Sequence, residues 1–385
     1  MTLTAVASSQ NRFPLEPATP AELGFHVPAL DRLRRTIESQ IAEGRYPGAQ
    51  IALARHGKLA LFESFGHAAL APRTPARDNT LWLLFSNTKV ITAAGIWALA
   101  EDGALRFTDR IASYLPEFAQ HGKGDITIVQ LLSHRAGFPT QDVPEACWSN
   151  HALMRKSVCG FTLEWTPGSR LQYHQRAAHW TAAALIEAVT GIDYRDFLRQ
   201  RLIEPLGLAQ ELFVGLPDAE HGRAVTLYEP AADGTQTPIA SQNAAGFRRA
   251  GLPSSGGFAT ARAMAAFYQM LAQQGRLAGV RLFSPRLVQY VTRNVTGDMV
   301  DAYMGMPMHR GLGPHVRGHT DTIRGLGSLA SPRTFGHGGV GSSYCWADPE
   351  SGVSFAYITN SRIPDPWHSE RMDVISNLVH SAIDF

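Results

Sequence analysis

Leu81-Trp82-Leu83-Leu84-Phe85-Ser86-Asn87-Thr88-Lys89-Val90-Ile91-Thr92-Ala93-Ala94-Gly95-Ile96-Trp97-Ala98-Leu99-Ala100 falls into an apolar run of strand length, four polar residues, and a stretch with helical character. Ser86 and Lys89, three apart at a helix start, share a face with Cβ atoms about 5–6 Å apart, so the amine reaches the hydroxyl it would activate. The Ser86 N–H, pointing out of the positive end of the helix, would meet an oxyanion. A blander reading makes Ser86 an N-cap and Lys89 a solvated first-turn residue, although a cation there opposes the helix dipole. Of the four lysines, Lys58, Lys89, Lys123 and Lys156, only Lys89 follows a serine at this spacing. Chance alone yields one such pair in roughly a quarter of comparable chains, so other segments have to carry the reading.

With 385 residues and 44% hydrophobic content, the chain has room for two domains, or one large domain with an insertion. Its 35 basic and 33 acidic residues nearly balance, and no basic run occurs, which points away from nucleic acid and membrane surfaces and towards a small-molecule partner. Cys147, Cys159 and Cys345 form no C-x-x-C spacing, and a reducing compartment suits them. The segment Met1 to Ser9 lacks the charged and apolar regions of a secretory signal, and no run of eighteen apolar residues exists, so a cytoplasmic location is expected if the sequence is complete. Oligomeric state has no signature here.

Outward from Ser86, Pro28 to Glu43 reads as an amphipathic helix through Leu30, Leu33, Ile37 and Ile41, ended by Gly44. Ala49 to Ala54 and Leu59 to Phe65, joined at His56-Gly57, read as a hairpin. From residue 87 to about 270 helices dominate: Val90 to Glu101, Ile128 to Ser133, Ala177 to Thr190 before Gly191, Tyr194 to Ile203, and Ala261 to Gln273, with loops between. Ser343 to Ala347 and Val353 to Thr359 return as strands about the turn at Asp348 to Gly352, and a last helix runs near Ser369 to Ile383. Strands at both ends predict one α/β (α+β) unit in which residues 1–86 and 275–385 build an antiparallel sheet flanked by helices, while 87–274 form a mostly helical domain. Ser86 lies at the junction, where a cleft is favoured.

A serine of this kind needs a second proton-handling group and a donor pair for the oxyanion. Tyr173, between the loop from Trp165 to Gln172 and a helix, and His337-Gly338-Gly339-Val340, just before the late strands, are the candidates. No G-x-S-x-G, H-E-x-x-H or helix-opening G-x-G-x-x-G occurs, and His309, His315 and His319 are spaced across Gly and Pro, so no metal site and no cofactor is expected.

In this order the segments resemble the class C β-lactamase-like serine hydrolases, which include family VIII carboxylesterases, D-amino-acid peptidases and some acyltransferases. Ile126 to Pro139 contains Leu131-Leu132-Ser133-His134-Arg135-Ala136-Gly137-Phe138-Pro139, similar to that family's "LLSHTSGLP"; Pro167-Gly168-Ser169 leads to Tyr173 as its second motif does, and Ser254 to Arg262 resembles another common segment. The resemblance spans most of the chain and implies a β-lactamase/transpeptidase-like fold. It implies Ser86 as the acylated nucleophile, Lys89 and Tyr173 sharing the proton work, and the N–H groups of Ser86 and Val340 as oxyanion hole. Either a phenolate favoured by Lys89 or a neutral Lys89 could act as base. Where the lactamases carry Tyr-x-Asn this chain has Tyr173-His174-Gln175, and where they carry Lys-Thr-Gly it has His337-Gly338-Gly339. Both changes weaken lactam recognition, and they point to hydrolysis of small carboxylic esters, with short acyl groups, through a Ser86 acyl-enzyme. Acyl transfer or amide hydrolysis stands as the alternative, and a silent binding protein behind it. His337, with Gly338 and Gly339, either lines the acyl pocket or is a satisfied strand-end residue; Gln175 either orients substrate or is polar surface; His134 braces the loop around Gly137. Loops 140–160 and 300–335 are expected to shape the pocket.

Overall fold

The computed structural model describes residues 13–320 and 325–384. Its main sheet contains β1 (Glu16–Pro17), β2 (Gly48–Arg55), β3 (Lys58–Leu70), β4 (Arg73–Pro75), β5 (His315–Val316), β6 (Phe335–Gly339), β7 (Ser343–Asp348) and β8 (Val353–Thr359). They lie side by side as β1-β3-β2-β8-β7-β6-β5, with β4 on β3; every pairing is antiparallel except that of β1 with β3. The central pairs β2–β3 and β2–β8 join the two ends of the chain, Ile51 facing Tyr357 and Leu53 facing Phe355. The principal helices are α1 (Val27–Ala42), α2 (Thr88–Glu101), α3 (His151–Cys159), α4 (Ala177–Thr190), α5 (Ala261–Ala272) and α6 (Trp367–His380). Among the described residues none is long and apolar enough to cross a membrane.

Side-chain alternation on the strands decides the layers. Ala49, Ile51 and Leu53 on β2, with Val353, Phe355 and Tyr357 on β8, face the core shared with α1 and α6. The intervening Ala52, Ala54, Ala347 and Ala356 face the other core, where small residues let the alanine-rich α5 lie close against the sheet. Helix α5 falls within 87–274 yet packs on β8, β2 and β7. Gln50 ties them together: its buried Oε1 accepts from Ala261 N (2.7 Å) at the start of α5, and its Nε2 donates to Ser64 Oγ (2.9 Å). Helix α2 is buried on all sides from Thr88 to Leu99 and meets α4 beside Gly95, where a Cβ would stand 2.7 Å from Leu198 and 3.0 Å from Ile186.

Several expectations change. His151–Cys159, inside a stretch read as loop, is helix α3, capped by the Asn150 side chain on Leu153 N. Tyr194–Leu198 is α-helix, but Arg199–Ile203 continues as a π turn. The last helix begins at Trp367 and stops at His380. The His337-Gly338-Gly339 segment is itself strand β6, paired with Ser343 to Cys345. Its glycines hide it from strand propensity, yet they are required, because a Cβ on Gly336 would sit 2.3 Å from Cys345 O.

Replacing Gln50 by Leu keeps the volume but strands the Ala261 N–H and its sheet partners. Stability should fall by about 2–4 kcal/mol, read as a lower urea midpoint at unchanged m-value, and an unmoved midpoint would contradict this coupling of sheet and helix.

Candidate active site

The chain enters the site from the short strand Trp82–Leu83, with Leu84 N donating to Gly257 O (2.8 Å). Phe85 then takes φ +46°, a left-handed conformation that is costly for a bulky residue and persists only where its surroundings enforce it. A 3₁₀ turn, Phe85–Asn87, follows and α2 starts at Thr88, so Ser86 precedes the helix and is not its N-cap. Two contacts hold the turn. Asn87 Nδ2 donates to Ser343 Oγ (2.9 Å) at the start of β7, and the end of β6 lies so close that a Cβ on Gly339 would stand 2.5 Å from Leu84 O and 3.1 Å from Phe85 Cβ.

Lys89 has 0% exposure, and its Nζ lies 3.1 Å from Ser86 Oγ while donating to Ser254 O, also at 3.1 Å. Among the described residues no carboxylate pairs with it. Burial, then the charges of Arg176 and Arg310, push the amine well below its usual range and favour the neutral form. A neutral amine at this distance can accept the serine proton.

Tyr173 sits on the loop before α4 and borders the same cavity as Ser86. Burial raises this phenol above its ordinary range, although the nearby Ser86 hydroxyl and the Arg310 charge work the other way. It therefore stands ready as a neutral O–H donor rather than as a phenolate. Its ring lies 5.0 Å from Lys89 Nζ and meets the His134 ring in a tilted contact at 4.8 Å. His134 in turn accepts the His174 N–H at Nδ1 (3.0 Å), bracing the tyrosine loop.

On β6, burial and then Lys89 lower His337 to about 3, so the imidazole is neutral; Nδ1 donates to Gly338 O (2.7 Å) and the ring lies tilted 4.3 Å from His315. Val340 forms the corner after β6, where Ser342 N returns to Gly339 O (3.0 Å); its side chain is 56% exposed. Ser86, Tyr173, His337, Gly338, Gly339 and Val340 all border one cavity of about 540 Å³. Gln175 does not. It is exposed, on a separate cavity of about 330 Å³ with Asp142 and Arg176, beyond Tyr173 and Tyr303. Of the two loops expected to shape the pocket, 300–335 supplies Tyr303, Met304, Arg310, His315 and Gly325, whereas 140–160 stays away from this cavity.

Sequence reasoning missed three contributors. The Ser254 carbonyl works through backbone, which no side-chain motif announces. Asp301 and Arg310 form a buried ion pair (2.5 Å) against Tyr173, but two charged residues in a loop read as solvated surface.

The family model described as Beta-lactamase matches residues 33–376. "Esterase/beta-lactamase LipL" of Mycobacterium tuberculosis is 29% identical over 356 residues, covering 85% of this chain and 80% of that protein. A "Putative D-alanyl-D-alanine carboxypeptidase" of Escherichia coli O157:H7 is 27% identical, covering 97% and 93%. The solved structure titled "Crystal structure of a family VIII carboxylesterase" superposes with a TM-score of 0.79 at 26% identity, covering 92% of this chain and 98% of that one.

Gly339→Ala tests the close approach of β6 to the Ser86 turn. The added Cβ must push strand and turn apart, and turnover of an activated ester should drop about 100-fold, the scale of a lost oxyanion donor, with little change in KM. Full activity in this variant would contradict the packing.

Proposed function

The chain belongs to the Beta-lactamase family of serine hydrolases, and from that premise we propose that it cleaves small carboxylic esters through an acyl-enzyme on Ser86. One observation carries the reading: a fully buried amine, with no carboxylate partner among the described residues, 3.1 Å from the hydroxyl of a serine that borders a cavity. Lys89 takes the proton as Ser86 Oγ attacks the ester carbonyl. The oxyanion forms at the Ser86 turn, where the N–H groups of Ser86 and Val340 are the proposed donors, helped by the positive end of α2. Collapse expels an alkoxide, to which Tyr173 delivers its proton; the Lys89 ammonium then restores the phenol. Water repeats the sequence on the acyl-enzyme, with Lys89 again as base.

The ester preference rests on β6 and the cavity wall. His337 is neutral and Gly338 and Gly339 have no side chains, so the strand offers no cation to the carboxylate that a lactam or peptide carries. Tyr303, Tyr344, Pro230, Ile363 and Met372 give much of the wall an apolar surface suited to a short acyl group. The esterase names among the relatives agree, while the carboxypeptidase name keeps amide hydrolysis as the outcome to test against.

p-Nitrophenyl acetate and butyrate should be hydrolysed with a burst of nitrophenol, and Ser86→Ala should abolish both burst and turnover. Preference for a D-alanyl-D-alanine dipeptide or a chromogenic cephalosporin over these esters would overturn the ester assignment. Lys89→Met should lower kcat by about 10²–10⁴-fold, as expected for a lost general base.

The pH dependence follows from the lysine. Its amine is depressed in the folded protein, so activity should be complete at neutral pH and fall only on the acid side, as Lys89 gains a proton. A kcat/KM profile still climbing towards pH 10 would contradict a neutral lysine base.

A further inference from the structure

Arg310 is 1% exposed and Asp301 0%, yet neither belongs to a motif. Arg310 Nη2 donates to Asp301 Oδ2 (2.5 Å), while its Nε and Nη1 are buried and find no acceptor among the described residues. A guanidinium so poorly supplied with acceptors is costly to bury, and breaking such a pair costs more than the pair contributes. Its placement gives a reason for it. The guanidinium carbon lies 4.9 Å from the centroid of the Tyr173 ring, within cation–π range, and Arg310 borders the same cavity as Ser86. Asp301 Oδ1 accepts the backbone N–H of Tyr173 (3.1 Å) and of Tyr303 (3.0 Å), so the same pair also fixes the tyrosine backbone.

Around Lys89 the other groups carry little permanent charge. From the turn before its helix comes Ser86, from the 254 loop a carbonyl, and from the loop before α4 the neutral phenol of Tyr173. His134, His179 on α4 and His337 on β6 are all driven to the neutral form by burial. Among the described residues two cations remain: Arg176, whose half-exposed guanidinium pairs with Asp142 (2.7 Å), and Arg310, buried with Asp301.

Resting on the reading of Ser86 as nucleophile, we propose that the Asp301–Arg310 pair is a positioning device in which Asp301 seats Tyr173 while Arg310, on the same tyrosine ring as the Lys89 amine, is a fixed cation that adds to burial and Arg176 in disfavouring a second positive charge there. Arg310 touches no reacting atom. It works by charge on Lys89 and by a cation–π contact with Tyr173, in a site whose third segment supplies a neutral histidine.

The two members of the pair then have opposite effects on the acid limb. Arg310→Met removes the repelling cation, so Lys89 holds its proton more tightly and the limb should move up by about one pH unit or more. Asp301→Asn removes the neutralising carboxylate, leaves Arg310 unopposed, and should move the limb down. Arg310→Lys should stay near wild type, and the double variant should fall between the singles. A merely structural role would lower rates without moving the limb in opposite directions.

The readout is the pH dependence of inactivation by a fluorophosphonate probe, with Ser86→Ala as the control, so that it does not depend on which ester is the substrate. Limbs that stay fixed, or that move the same way in both single variants, would overturn the proposal while leaving the nucleophile in place. Labelling that survives in Ser86→Ala would instead overturn the reading on which it rests. If Arg310→Met does not fold, Asp301→Asn decides alone: a limb that fails to move down refutes the proposal.

Discussion

An amine taken wholly out of water with no carboxylate beside it is the constraint from which the site follows. Desolvation penalises its charged form, which pulls the Lys89 amine well below its usual range and favours the neutral form. In the proposed mechanism, neutrality turns an ordinary first-turn lysine into a base for the neighbouring Ser86 hydroxyl. Keeping the amine dry requires a helix buried on every side, and α2 is that helix, packed on α4 and the flanking segments from Thr88 to Leu99. The helical region thus has a chemical task besides closing a cleft over the sheet.

In the proposed mechanism the sheet has the complementary task of aiming the serine. Phe85 is held in a left-handed conformation by contacts rather than by preference, with β6 pressed against its turn and Asn87 tied to Ser343. Glycine at 339 is what permits this approach. Strain at Phe85 and the missing Cβ on β6 are two aspects of one packing decision, which places the corner at Val340 and the hydroxyl of Ser86 on the same cavity.

Much of this was readable in the sequence because it is periodic or local. The hairpin around His56-Gly57, the long helices and the final strand pair follow from apolar spacing, and Ser86, Lys89 and Tyr173 stand in segments whose order is distinctive. Structure brings these three together. What was not readable depends on contacts between remote segments. Helix α3 is only nine residues long and buries just Met154, Val158 and Cys159, too short a run for helical spacing to stand out, and β6 is masked by glycines whose reason lies in Cys345 across the sheet and in Leu84. The Ser254 carbonyl leaves no side-chain signal. Asp301 and Arg310 acquire meaning only when folding buries them on Tyr173, and Gln175, next but one to that tyrosine, points into a different cavity because side-chain direction is not set by proximity in the chain.

The central claim is the charge state of one lysine, and the chain has only four. Protein labelled with ¹³C at lysine Cε gives a spectrum in which Lys89→Met identifies the resonance of interest. At neutral pH that resonance should already have the shift of a free amine, moving only on acidification. A Lys89 signal that stays ammonium-like to near pH 10 would contradict the account.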